Sequence, residues 1–128
     1  MSARKDDLGR IQEIYDTVAK TLEQIEGSGF SHDRFVRPET IEDDLMAEGL
    51  LNRVFRVSEE GGALSGAFER YGFPLHEMSG MRNILAHAYG EIDREIAWKV
   101  IEVDFPDLLC ACERYCEDAG VSLMVSWR

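Results

Sequence analysis

The spacing of apolar residues in the first half of the chain predicts two long amphipathic helices. Over residues 8–25, apolar positions recur at intervals of three and four, which places them on one helix face. The glycine-rich segment 27–29 ends this helix. Residues 30–37 are predicted to form a loop, and Pro38 to Thr40 open the second helix, because proline suits a first turn. That helix continues through residues 41–57 into the 60s.

Glycines and turn residues interrupt the predicted helices in the middle of the chain. Gly61 and Gly62 each cost about 1 kcal/mol in a helix interior, so we expect a kink, a break or a close helix–helix contact there. Residues 71–74 read Tyr-Gly-Phe-Pro and predict a turn. A third helix is predicted over residues 75–88, with Gly90 near its end.

The last third predicts further helix and a short tail. Asp93 is a suitable N-cap for a fourth helix, and Pro106 should kink it or start a new segment. After Gly120, the alternation over residues 121–127 predicts a short strand or an extended tail. The expected fold is therefore all-α: an up-and-down bundle of four or five helices, forming a single domain over residues 1–128.

Composition limits the classes of function. The chain has 128 residues, with 14 Lys and Arg against 25 Asp and Glu, which gives a net charge of −11. An acidic surface binds nucleic acid poorly, so any RNA contact must be local and made by a few arginines. Alternatively, the surface faces a basic partner protein. We find no apolar run long enough for a membrane span and no signal-peptide core, which predicts a cytoplasmic protein.

The segment 82–89, Arg-Asn-Ile-Leu-Ala-His-Ala-Tyr, holds the candidate chemistry. On an ideal helix Asn83 and His87 share a face, whereas Arg82 and His87 lie about 140° apart around the axis. A single straight helix therefore cannot direct the side chains of Arg82 and His87 toward the same point. Either the helix loosens before Gly90, or a second copy of the chain supplies the missing group across a two-fold axis.

These residue types suit cleavage of RNA without a metal. An imidazole that titrates near neutrality can move the proton of a 2′-hydroxyl or of a leaving group. A guanidinium can stabilise the charge that develops on the phosphate. The spacing alone also fits a structural histidine and an ion-paired arginine, as in a plain helical interaction protein.

A longer pattern favours the catalytic interpretation over the structural one. Over residues 79–109, about a quarter of the chain, the sequence resembles the HepT-like branch of the HEPN superfamily. The resemblance rests on the run 80–89, followed by Ile92-Asp93, Trp98 and Pro106-Asp107-Leu108. It implies a helical homodimer that acts as a metal-independent endoribonuclease toxin and needs no cofactor. It also implies a minimal nucleotidyltransferase antitoxin that attaches AMP to the motif tyrosine.

The resemblance also assigns roles to single residues. Arg82 and His87 would be catalytic, Asn83 supporting, and Tyr89 the AMPylation site, where a bulky anion would block an RNA phosphate. The long helix of such proteins usually carries Gly-Glu-Ala. Here only Glu60 corresponds, as a second supporting residue. The alternative function is a non-catalytic helical subunit that binds a nucleotide or a nucleotidyltransferase.

Two further groups of residues leave alternatives open. Arg53 and Arg56 either extend a phosphate-binding patch or lie on a solvated face, paired with neighbouring glutamates. Cys110, Cys112 and Cys116 form a cluster without a nearby histidine, so buried or idle thiols are favoured over a metal site.

Overall fold

The computed structural model describes residues 6–86 and 91–124, and these residues form an all-α fold, as predicted. The elements in chain order are α1 (Asp7–Ser28), α2 (His32–Val36), α3 (Ile41–Gly62), a 3-10 helix (Gly66–Tyr71), α4 (Leu75–Ser79), α5 (Met81–Leu85), α6 (Arg94–Lys99), a π-helical turn (Val100–Asp104) and α7 (Phe105–Ala119). Within the described ranges there are seven α-helices, more than predicted, because several are too short to leave a periodic signal. None of the described helices has the length and apolar composition needed to cross a membrane.

The three longest helices supply much of the core. α1 packs against both α3 and α7, and α3 also contacts α4 and α5. Each long helix contributes one apolar stripe, as its spacing predicts. The fully buried large side chains are Ile11, Ile14, Val18, Phe35, Val54, Val57, Phe73, Leu85, Ile101 and Phe105.

Local side chains set where the long helices begin and end. The carboxylate of Asp6 accepts a hydrogen bond from the amide of Gly9 at the start of α1. Gly29 closes α1 in the left-handed conformation, at φ 68°. Thr40 caps α3 through its hydroxyl, which accepts from the amide of Asp43. Thr40 and not Pro38 therefore starts the second long helix.

The predicted loop over residues 30–37 is wrong in its centre, where α2 forms. The hydroxyl of Ser31 accepts a hydrogen bond from the amide of Arg34, which caps this short helix. Phe35 is completely buried and packs against Trp98. Burial of this one ring ties α2 to the core, an effect that a five-residue segment cannot show in its own periodicity.

The predicted continuous helix over residues 75–88 is also wrong. It breaks at Gly80 into α4 and α5, and α5 ends at Leu85. Ala86 is extended, with φ −70° and ψ 132°, and pairs with Ile92 in an isolated antiparallel bridge. The amide of Asp93 donates to the carbonyl of Leu85 at 2.7 Å and reinforces that pairing.

The remaining boundaries follow the predictions more closely. Asp93 caps α6 by accepting from the amide of Ile96. Pro106 lies at the start of α7, directly after the π turn, as expected for a residue that begins a new segment. Residues 121–124 have no regular structure, and the tail is tied to α1 by two hydrogen bonds between Gln12 and the backbone of Met124. The rest of the predicted tail lies outside the described residues.

Candidate functional site

Arg82 lies on the outer face of the short helix α5. Met81 and Leu85 are buried on the inner face, at 7% and 0% exposure, and hold this helix against the core. Arg82 and Asn83 therefore point away from the core and are exposed. The side chain of Arg82 keeps 65% of its surface in solvent, so its guanidinium is accessible to a ligand.

Two residues of α3 hold the Arg82 guanidinium. Its central carbon lies 4.4 Å from the centroid of the Phe55 ring, a cation–π contact. Its terminal nitrogen forms an ion pair with the carboxylate of Glu59. Phe55 and Glu59 are four residues apart on one helix face, so the ring and the carboxylate both contact the guanidinium of Arg82.

An open groove of about 280 Å³ lies beside this arginine. At the base of the groove α3 and α4 come close together at Gly62 and Ser79. Only glycine allows this approach, because a Cβ at position 62 would lie 2.9 Å from the Cα of Ser79. The close approach of α3 and α4 confirms one of the three outcomes expected for the glycine pair. The groove is lined by Phe55, Ser58, Glu59, Gly62, Ala63, Met78, Ser79 and Arg82. An arginine, the carboxylate that pairs with it, an aromatic ring and two hydroxyls thus line one opening.

The structure locates only part of the predicted site. Asn83 is exposed next to Arg82 on α5. His87 and Tyr89 lie outside the described residues, so their roles stay predictions. The helix-wheel relation between Arg82 and His87 loses its basis, because the helix ends at Leu85, before the histidine. The angle therefore no longer argues for a dimer.

A comparison with family models matches residues 36–115 to the ribonuclease HepT-like family. The chain belongs to the HepT-like family. The match covers more than half of the chain and includes α3, α5 and the whole segment 82–89. No curated protein and no solved structure matches the chain. The resemblance stated from the motif is thereby confirmed at the level of the family.

The motif resemblance described in the sequence analysis singled out Glu60, but the neighbouring Glu59 is the residue that contacts Arg82. The carboxylate of Glu60 pairs with Arg10 of α1 at 3.1 Å and is only 16% exposed. Glu59, one position earlier, turns toward α5 instead. Sequence reasoning missed Glu59 and Phe55, although their four-residue spacing places them on one face. The supporting role of Glu60 stays a prediction.

Arg53 lies on the opposite side of α3 from Phe55. Its guanidinium donates to the hydroxyl of Thr21 at 3.2 Å and to the amide oxygen of Gln24 at 2.6 Å. Burial lowers the pKa of Arg53, and the nearby charge of Arg56 adds to that effect. Arg53 therefore packs against α1 and does not extend the groove of Arg82.

The cysteine cluster shows no feature of a metal site. Cys112 is buried, and burial raises the pKa of its thiol to about 12. Cys110 is exposed, on a different face of α7. Over residues 6–86 and 91–124, no three His, Cys, Asp or Glu side chains come together in a group that could hold a metal ion.

Proposed function

We propose that this chain is an endoribonuclease toxin that cleaves RNA without a metal ion, with Arg82 and His87 as its catalytic residues. The observation that carries the proposal is the exposed Arg82 guanidinium at an open groove, inside a region that matches a ribonuclease family. Arginine presents a planar fork that suits phosphate oxygens.

The proposed reaction is an attack of the RNA 2′-oxygen on the adjacent phosphorus. A bond forms between that oxygen and phosphorus, and the bond from phosphorus to the 5′-oxygen breaks. The 2′-hydroxyl loses a proton and the 5′-oxygen gains one. His87 serves one of these two transfers, Arg82 stabilises the charge on the non-bridging oxygens, and Asn83 orients either group.

The charge distribution restricts how RNA can be bound. With a net charge of −11, long-range attraction to RNA is absent, so binding must rely on contacts within the groove. Phe55 supplies the cation–π contact that keeps the Arg82 guanidinium at the groove. The Glu59 carboxylate also competes with a phosphate for the Arg82 guanidinium. These features favour short single-stranded RNA over duplex.

The decisive experiment is cleavage of a labelled single-stranded RNA by purified protein in the presence of a chelator. We expect cleavage by the wild type and a loss of about 10²–10⁴-fold in His87→Ala. Arg82→Ala should lose activity to a comparable degree, while Arg37→Ala, an exposed arginine that pairs only locally with Asp33, retains it.

Two results would contradict the proposal. Either the wild type leaves RNA intact, or both site variants cleave as fast as the wild type. Intact RNA together with tight binding to a nucleotidyltransferase would support the non-catalytic subunit instead.

The regulation we propose is AMPylation of Tyr89 by a minimal nucleotidyltransferase antitoxin in the cytoplasm. The net charge of −11 on this chain suits a partner that presents a basic surface. With that partner and ATP, the Tyr89 oxygen should bond to the α-phosphorus of ATP as the hydroxyl loses its proton and pyrophosphate leaves. The peptide that contains Tyr89 should then gain the mass of one adenylyl group, and RNA cleavage should stop. Tyr89→Phe should remain unmodified. Unchanged mass in the wild type would remove this part of the proposal.

A further inference from the structure

A cavity of about 180 Å³ lies between the C-terminal end of α1 and the middle of α3. It shares no lining residue with the groove beside Arg82, so the two openings are separate. Small-molecule sites are typically concave and mostly apolar, with a few polar groups that fix the ligand. This cavity has that character, because Arg53 lies among four apolar lining residues: Ile25, Phe30, Met46 and Leu50.

The charge of Arg53 is not neutralised by any acid in the part of the chain that the structure describes. Arg53 donates only to a hydroxyl and an amide oxygen, although the chain contains 25 Asp and Glu. None of the described residues that line the cavity is acidic. Six other arginines do pair with a carboxylate: Arg10, Arg34, Arg37, Arg70, Arg82 and Arg94.

The position of Arg53 makes an uncompensated charge costly. The residue is half-buried, and burial lowers the pKa of its guanidinium, with the charge of Arg56 acting in the same direction. An arginine remains ionised at neutral pH even so. A cation that has lost part of its hydration is stabilised by an opposite charge that approaches it. The surroundings of Arg53 therefore favour an anion.

The hydrogen bonds of Arg53 leave one edge of its guanidinium available. Nη1 donates to the hydroxyl of Thr21 at 3.2 Å and to the amide oxygen of Gln24 at 2.6 Å. Over residues 6–86 and 91–124, Nε and Nη2 of Arg53 donate to no acceptor. Two guanidinium nitrogens side by side form a fork that can donate parallel hydrogen bonds to both oxygens of one carboxylate. Thr21 and Gln24 thus hold the group and leave such a fork for a ligand.

We propose that this cavity binds a small aliphatic carboxylic acid as its anion. The carboxylate accepts two hydrogen bonds from Nε and Nη2 of Arg53, and the hydrocarbon chain packs against the apolar lining. Drug-sized ligands occupy pockets of about 300–1,000 Å³, so a cavity of about 180 Å³ suits a chain of only a few carbons. A free phosphate ion would leave the apolar lining unused. The site is separate from the proposed RNA-cleaving site and does not depend on it.

The first experiment is a titration with sodium hexanoate, read by NMR on protein labelled with ¹³C at the methionine methyl groups. Met46 lines the cavity, whereas Met78 lines the groove beside Arg82, so the two methyl signals report on the two openings separately. We expect the Met46 signal to shift and saturate while the Met78 signal stays unchanged.

A series of probes tests both parts of the ligand. Each methylene added between acetate and hexanoate should raise the affinity about three- to fourfold, as long as the cavity buries it. Hexan-1-ol has the same chain without the charge. It should bind at least tenfold more weakly than hexanoate, because it loses the charge-assisted hydrogen bonds to Arg53.

The second experiment changes the arginine. Arg53→Leu should weaken hexanoate binding at least tenfold. Arg53→Lys keeps the charge but not the fork, so it should weaken binding several-fold while the protein stays folded. Arg56→Leu is the matched control. It removes the same charge from the same helix, but Arg56 does not line the cavity, so the affinity should change by at most about twofold.

Several results would overturn this site. They are a Met46 signal that does not saturate, equal affinity for hexanoate and hexan-1-ol, and wild-type affinity in both Arg53 variants. A shift of Met78 with Met46 unchanged would also overturn it, since the acid would then bind at the groove. The RNA-cleavage assay reports separately: intact RNA with a saturable Met46 shift removes the ribonuclease proposal and supports the cavity site.

Discussion

The guanidinium of Arg82 rests on the ring of Phe55, with 4.4 Å between its central carbon and the ring centroid, while Glu59 holds its terminal nitrogen. The two contacts have opposite consequences for function. The ring positions the cation without neutralising it, because its face offers only a partial negative charge. The carboxylate neutralises it and competes with phosphate.

Removing the ring should weaken the site without unfolding the protein. A cation–π contact at an exposed position is worth about 0.5–1 kcal/mol, so Phe55→Leu should lower kcat/KM for RNA by about two- to fivefold. Phe55→Tyr keeps the ring face and should restore the rate. Sedimentation must show that each variant has the oligomeric state of the wild type. A tyrosine variant as slow as the leucine variant would mean that shape, and not the ring face, matters.

Removing the competing acid should strengthen RNA binding. Glu59→Gln leaves the size of the side chain unchanged but frees the charge of Arg82, so the dissociation constant for a short RNA should fall by a few-fold at low salt. The free energy of unfolding should change by less than about 1 kcal/mol, because both partners are exposed. Glu26→Gln on α1 removes the same charge away from the groove. Equal effects of the two changes on affinity would mean that only net charge matters.

Adding a Cβ at Gly62 should disrupt the close contact between α3 and α4. In Gly62→Ala the new Cβ would lie 2.9 Å from the Cα of Ser79, so the backbone must move. We expect a loss of about 1–3 kcal/mol in urea unfolding, together with reduced cleavage, since the groove shares this floor. Gly27→Ala, where nothing lies within 4 Å, should be neutral or stabilising by up to about 1 kcal/mol. Similar effects at both positions would refute the contact.

The pairing of His32 with Glu95 should make stability depend on pH. The ring Nε2 lies 2.7 Å from the carboxylate, and that hydrogen bond raises the pKa of His32 above 6.5, with Asp33 contributing in the same direction. Because the folded state holds the proton more tightly, the stabilisation is complete below pH 6.5 and disappears as pH rises through the raised pKa.

An NMR titration of the His32 ring measures that pKa directly. In Glu95→Gln the pKa should fall toward its ordinary value, and the difference in stability between pH 6 and pH 9 should shrink. An unshifted His32 pKa in the wild type would show that the pair does not persist in solution.

The sequence predicted those parts of the fold in which one helix makes its own periodic signal. α1 and α3 emerged from the spacing of their apolar residues, and Asp93 and Pro106 from the chemistry of helix ends. The prediction of one continuous helix over residues 75–88 was wrong because Met78, Met81 and Leu85 have the spacing of a single helix. The competing bridge between Ala86 and Ile92 involves only two backbone segments and leaves no side-chain pattern.

The site divides in the same way. Arg82 and Asn83 stand out because they belong to a local motif, and the family match confirms its context. Phe55 and Glu59 reach Arg82 from a different helix, 23 residues away in the case of Glu59. Only the packing of α5 against α3 brings them together, and an adjacent pair such as Glu59 and Glu60 gives no hint of which acid faces the groove.

The helix that carries Arg82 is short, and its length bears on which part of the protein unfolds first. α4 and α5 have five residues each, far below the length at which a helix persists alone. α4 and α5 therefore stay helical only because they pack against the rest of the bundle, whereas α1 and α3 are much longer, at 22 residues each. Partial opening of the region 75–86 should therefore cost less than global unfolding, and exchange its amide protons first. Under mild heat or urea, Arg82 would lose its ordered position while most of the helical signal of the protein remained native.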